Sequence, residues 1–302
     1  MPLQISGAIS LADIQTEFGG SNPISISEYY RGGSYTTNNN GNVPTSGQIA
    51  LNHFYGGVKQ FVFAPTIAAD TLNYNIKSQA IAAGWNQVTP LYANITINSG
   101  VYVGSSSTGA YAMDTGVTFP TGSSINITNN GFIMGMGGSG SSGGNSGSPG
   151  GYNGAAGGPA LLAQVAVRIT NNGTIGGGGG GGGGGRGGRW SGGPYYGGGG
   201  GGGGRGLNGG AGGGGGGTAG YGVDGNAGAA GTKLANGAGG YGPIGDGGAG
   251  GALGSSGAAG NAKDTGAAAN YGPYGGYAGG ACTSGNANIT WVVAGTRSGA
   301  LN

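Results

Sequence analysis

Polar and apolar positions fall into three successive patterns. Along residues 1–57 a degenerate unit recurs as "ISLADIQTEFGG", "ISISEYYRGG" and "IALNHFYGG". Each copy has an alternating apolar start, an aromatic and a glycine stop, and each buries little alone. The unit predicts a docking element that packs against a partner or against its own copies. Residues 58–134 have ordinary globular patterning. "NYNIKSQAIAAG" predicts a short helix, capped by Asn75 and stopped at Gly84. "LYANITINSGVYVG", "VTFPTG" and "SINITNNGFIMG" predict strands joined by Asn/Gly turns, hence a small α+β shoulder domain. Residues 135–302 are glycine-rich and return to one launch sequence. "ITNNGFI" (127–133) recurs as "ITNNGTI" (169–175), each copy runs into glycines, and "NITW" (288–291) follows the last glycine stretch. Short strands thus bracket and interrupt the glycines.

Composition sharpens this division. With 86 glycines in 302 residues the chain approaches collagen, but it lacks a strict G-X-Y period and has only 11 prolines. Only 6% of residues are charged and the net charge is +2, so self-repulsion does not hold the chain open. The scattered Lys and Arg form no basic stripe for nucleic acid. The single cysteine, Cys282, excludes a disulfide framework and a cysteine-based zinc site; it reads as an inert thiol, and the single histidine, His53, as structural. No metal or cofactor is expected. The glycines lack the G-K-[ST] context of a phosphate loop. No apolar run approaches the roughly 18 residues of a membrane span, and "MPLQISGAISLADIQ" does not read as a signal peptide. The expectation is synthesis in a cytoplasm and no membrane insertion.

The glycine runs raise a packing question. A polyproline-II-like helix has three residues per turn, rises about 3.1 Å per residue and makes no internal hydrogen bonds. Packed side by side, such helices bond to one another, and close approach demands hydrogen at each contacting Cα. An interior helix needs glycine on all three faces; an edge helix carries side chains outward. Gly176 to Gly185 therefore reads as an interior rod, and "GGYGPIGDGGAGGALG" as outer helices. The expected fold is mostly irregular and β: a bundle of polyglycine-II helices bracketed by short strands, with the shoulder domain and the N-terminal attachment segment.

If the helices run up and down, the loops sort by chemistry. One end collects Tyr152, Arg186, Arg189, Trp190, Tyr195, Tyr196, Tyr221, Tyr241, Tyr271, Tyr274 and Tyr277. The other end has "RGLN" (205–208), "TKLAN" (232–236) and "LGSS" (253–256), without an aromatic. A Tyr-rich end with Trp and Arg has the composition of a paratope. The alternative is that the rings only close the bundle end against water, with single rings such as Tyr152 or Tyr241 serving as lids.

The launch motif "ITNNGTIGGGGGGGGGG", the alternating runs and loops, and the closing "NITWVVAGTRSGAL" resemble the glycine-rich receptor-recognition proteins of tailed bacteriophages. These include the distal adhesins of T-even long tail fibres and related tail-tip host-specificity proteins. The resemblance covers roughly residues 85–301. The front segment looks like short modules near the ends of phage tail proteins. The resemblance implies a virion protein at the distal end of the tail or tail fibre. It implies that the protein binds a host outer-membrane protein or glycan, and it points to the same loops. Residues 1–57 are then expected to dock onto a tail-tip or fibre protein.

Other classes fit less well. A polysaccharide-cleaving enzyme usually needs a carboxylate pair; of the eight acidic residues, Asp224, Asp246 and Asp264 fall at the aromatic end, where they serve turns or rim polarity. An ice-binding face should be flat and regular. A structural tail-tip or fibre-cap protein without receptor contact is the main alternative.

Overall fold

The computed structural model describes residues 3–36, 40–145, 152–189, 194–218, 222–263 and 274–302. They form two compact units. The first holds residues up to 65 with 77–95 and 117–126; the second holds 66–76, 96–116 and 127–302. The segment 58–134 contributes to both.

In the first unit the three sequence copies turn their aromatics inward. Phe18, Tyr29 and Phe54 are fully buried, with ring centroids 6.3, 6.0 and 6.1 Å apart pairwise. Leu3, Ile14 and Val43 complete this core. One capping device repeats in each copy. Ser10 and Asp13 close a capping box on the helix Leu11–Phe18, and Ser25 and Glu28 do so on the turn Ile26–Tyr29. In the third copy Ala50 supplies no side-chain cap, but His53 Nδ1 accepts the Ala50 N–H at 3.2 Å on the turn Leu51–Phe54. The single histidine is thus a helix-cap residue.

The middle segment forms its helix at Ile76–Ala82. Gly84, at φ 100°, ends it, and the Trp85 N–H bonds back to the Ala80 carbonyl. Strands form at Leu91–Ile97 and Ser124–Asn129, where buried residues alternate as the pattern requires. "VTFPTG" does not form a strand. Thr118 takes φ 59° and Gly122 φ 88°, turning the backbone so that Phe119 stacks on Trp85 at 5.5 Å.

The second unit is built on stacked short strands. Thr71–Leu72, Tyr102–Gly104, Phe132–Met134, Thr174–Gly176 and Thr296–Ser298 are successive neighbours on one face, paired in parallel. Tyr74–Asn75, Met113–Asp114, Leu161–Leu162 and Thr283–Ser284 stack in parallel on another. Val167–Asn171 and Ile289–Val293 pair in parallel on the remaining face. The chain therefore winds as a parallel solenoid. The corner between the first and second of these faces grows rung by rung. It is Asn73 alone in the first rung, 105–112 in the next, then 135–160, then 177–282. Both long glycine stretches are excursions from that one corner.

The excursions run side by side, and their hydrogen bonds leave each segment with a three-residue period. Gly178, Gly181 and Gly184 donate to Gly158, Ala155 and Tyr152; Gly179, Gly182 and Gly185 donate to Arg205, Gly202 and Gly199; Gly180 and Gly183 donate to Ser255 and Ala258. The same run accepts on its other flanks from 135–144, 248–254 and 277–280. The run 197–204 is enclosed in the same way, by 138–144, 182–185, 210–216, 223–229, 237–240 and 245–248. These two enclosed segments are the two longest uninterrupted glycine runs. A Cβ at any position from Gly177 to Gly185 would overlap backbone of a neighbouring segment, usually a carbonyl oxygen. At the border the demand relaxes: around Gly214 nothing lies closer than Ser142 Oγ at 4.0 Å. Ala211, Ala238 and Ala252 are likewise exposed border positions.

Candidate functional site

The two ends of the glycine array differ chemically. At the end nearest the strands, the turns 205–208 and 253–256 carry leucines inward, while Leu234 in the turn 232–236 is exposed. Leu207 and Leu253 pack with Tyr102, Phe132 and Met134 on the solenoid face, where the Tyr102 and Phe132 rings stack at 4.5 Å. Lys233 Nζ lies 4.5 Å from the Tyr102 ring centre and pairs with Asp70 at 2.8 Å. The hydrogen bond from Lys233 holds the Asp70 carboxyl below its ordinary range. Asn208 Nδ2 donates to the Ser105 carbonyl at 3.1 Å. That end is anchored by side chains.

The opposite end carries the aromatics. Gly188–Arg189 pairs antiparallel with Tyr195–Tyr196, which pairs in parallel with Gly222–Val223. A small three-stranded sheet thus joins two loops far apart in sequence. Tyr195 is exposed, Tyr196 is half-buried, and Val223 is exposed. Val223 carried no sequence signal, because a lone valine in a loop has no periodicity to mark it. Asp224 Oδ1 closes its loop by accepting from the Thr218 N–H and Oγ1 at 2.8 and 2.9 Å.

The loop 241–246 is held by Lys263. Its Nζ lies 3.9 Å from the Tyr241 ring centre, 2.6 Å from Asp246 Oδ1 and 3.1 Å from the Gly242 carbonyl oxygen. Its N–H bonds to the Ile244 carbonyl at 2.8 Å, over the buried Ile244 side chain. Asp246 also accepts from the Gly242 N–H at 3.1 Å. Burial works to raise the Asp246 carboxyl, but the bonds from Lys263 and Gly242 outweigh it and hold the group below its ordinary range. Tyr241 keeps 59% of its surface exposed.

The remaining expected residues divide. Tyr152 is 64% exposed, and its carbonyl receives the Gly184 N–H near the top of the run. Tyr274 is half-buried, and its carbonyl receives the Gly260 N–H. Tyr277 is exposed, but its N–H bonds to Gly181. That register sets it on the flank, below the loops, where the up-and-down trace had placed it with them. Arg186 is 5% exposed. It extends the enclosed run by one residue, so the structure does not leave Arg186 exposed as the expected receptor contact. Arg189 pairs with Tyr195 through the backbone. Trp190, Tyr221, Tyr271 and Asp264 lie outside the described residues. Among the described residues no group of His, Cys, Asp and Glu could hold a metal ion, and no helix is long and apolar enough to cross a membrane.

The family model of the phage tail fibre adhesin Gp38 matches residues 62–302. Among solved structures, the fold is similar to one described as the crystal structure of the gp37-gp38 adhesin tip complex of the bacteriophage S16 long tail fiber. The TM-score is 0.53 at 23% identity, over 99% of this chain and 100% of that one. No curated protein sequence matches the chain. With most of its length matched, from Val62 through the strand stack and the glycine array to Asn302, the chain belongs to the phage tail fibre adhesin Gp38 family.

Proposed function

We propose that this adhesin is a receptor-binding protein at the distal end of the tail fibre, holding aromatic loops out to a host surface protein or glycan. The observation that carries the reading is the asymmetry of the array. Leu207 and Leu253, in two of the described turns nearest the strands, pack against the strand stack, while Tyr152, Tyr195, Val223 and Tyr241 stand exposed in or beside the loops at the other end. Rigid, amphipathic tyrosine surface on a stiff support suits recognition at low entropic cost. The stiffness comes from the glycine segments, which we read as polyglycine-II helices; the three-residue period of their lateral bonds supports this. Trp190, Tyr221 and Tyr271 belong to the same proposed surface, with Tyr196 and Tyr274 as partly buried supports.

The reading divides the chain into an attachment segment (1–57), a shoulder (58–134) and the glycine-rich recognition region (135–302). The partner of the attachment segment is a tail fibre protein, a role supported by the gp37–gp38 complex of the similar structure. The reading involves no chemistry on the receptor: Asp224 is engaged by Thr218 and Asp246 by Lys263. A purely structural fibre cap is the second reading, favoured by the half-buried state of Tyr196 and Tyr274. Competition for phage adsorption separates the two. Purified protein should block adsorption to cells on which the phage grows, and the triple change Tyr195→Ala, Tyr241→Ala, Trp190→Ala should not. Equal blocking by the folded triple variant excludes the loops as the receptor surface.

A further inference from the structure

We propose that Lys263 is a positioning residue for recognition, fixing Tyr241 in its outward orientation; this rests on the receptor-binding reading above. Three observations meet at this side chain. Its ammonium lies 3.9 Å from the Tyr241 ring centre, well inside the distance of roughly 6 Å for a cation–π contact. The same ammonium pairs with Asp246 at 2.6 Å and bonds the Gly242 carbonyl at 3.1 Å. Its backbone N–H bonds the Ile244 carbonyl. Lys263 therefore fastens the loop 241–246 to the neighbouring segment through both main chain and side chain.

The arrangement determines what Tyr241 can offer. One face of its ring is taken by the ammonium, while 59% of the residue remains exposed. A tyrosine on a glycine-flanked loop would otherwise sample several rotamers. Immobilising one such side chain on binding carries an entropic cost. Lys263 removes part of that cost before the receptor arrives. Asp246 balances the ammonium and closes its own loop through the Gly242 N–H. The exposed ring thus presents apolar surface beside a neutralised ion pair, suited to an uncharged patch of the receptor.

A double-substitution cycle tests this with phage-adsorption competition as the readout and thermal unfolding as the control. Lys263→Met should weaken competition about tenfold, as loss of one pre-ordered anchor would. Lys263→Arg, which keeps a cation over the ring and a donor to Asp246, should restore most of it. In a Tyr241→Ala background, Lys263→Met should have no further effect, because the residue acts through the ring. Full wild-type competition by folded Lys263→Met overturns the proposal, as does an undiminished effect in the Tyr241→Ala background. If the wild-type protein itself fails to compete, it is the receptor-binding reading that falls.

Discussion

Asn129 and Asn171 are bonded side chain to side chain, Nδ2 to Oδ1 at 2.8 Å, and both are fully buried. They occupy the same place in the two copies of "ITNNG". The neighbouring pair repeats the contact, with Asn172 Nδ2 donating to Asn130 Oδ1 at 2.9 Å. A repeat in sequence has become a ladder in space. Asn171 also donates to the Ala294 and Thr296 carbonyls at 2.9 and 3.1 Å, carrying the ladder to the last rung. Asn171→Ala should therefore strand several buried polar groups, at roughly 1–3 kcal/mol each. Thermal unfolding should show a large loss of stability, and Asn172→Ala, at an exposed position, a small one.

The glycine array makes a sharper demand at single positions. A Cβ at Gly181 would overlap the Ser139 carbonyl oxygen, whereas Gly214 faces open space. Gly181→Ala should prevent the array from forming or destabilise it by more than about 4 kcal/mol, the range reserved for clear structural breaks. Gly214→Ala should stay within about 0.5 kcal/mol of wild type. Chemical denaturation of the two variants checks this directly.

The first unit rests on three rings. Phe54 touches both Phe18 and Tyr29 and is fully buried. Phe54→Ala should cost about 3–5 kcal/mol, the range for removing a buried ring. Hydrogen exchange should show lost protection in residues 11–18 and 51–54. Unchanged protection there would mean that the three copies do not share one core.

Titration supplies a signed test. Burial pushes the Cys282 thiol from 9.0 up to about 11. Its folded pKa is raised, so its stabilising contribution is complete below about pH 9 and lost as pH rises through about 11. The folded protein should resist alkylation at pH 8, as followed by intact mass. Asp70 and Asp246 are shifted the other way, so their contributions hold above their ordinary 3.8 and fade as pH falls below it. Both ion pairs are about a third exposed or more, so solvent screens them and the pH effect on stability is small.

The legible parts of the fold were those with a repeat behind them. Ten consecutive glycines announced an enclosed rod because no other residue fits where every Cα meets backbone. The repeated "ITNNG" announced strands, and the aromatic of each N-terminal copy marked a packing element, against a partner or against its own copies. The solenoid was not legible, since its rungs use strands as short as Thr71–Leu72 and Leu161–Leu162, too brief to show alternation. "VTFPTG" looked like a strand by composition, yet its local backbone turns. In the site, tyrosines were visible because they are large and rare among glycines. Lys263 was not, because its importance depends on a ring and a carboxylate that only the folded loop brings to it. The level of Tyr277 on the flank was equally hidden, as it depends on the register of lateral bonds.

The most direct test of the account is the location of host-range changes. Phage should be selected on cells that resist adsorption, and the adhesin gene of the escaping phage sequenced. The account predicts substitutions clustered in 186–196, 218–224, 241–246 and 262–274. Changes concentrated instead in the turns 205–208, 232–236 and 253–256, with the aromatic loops untouched, would contradict it.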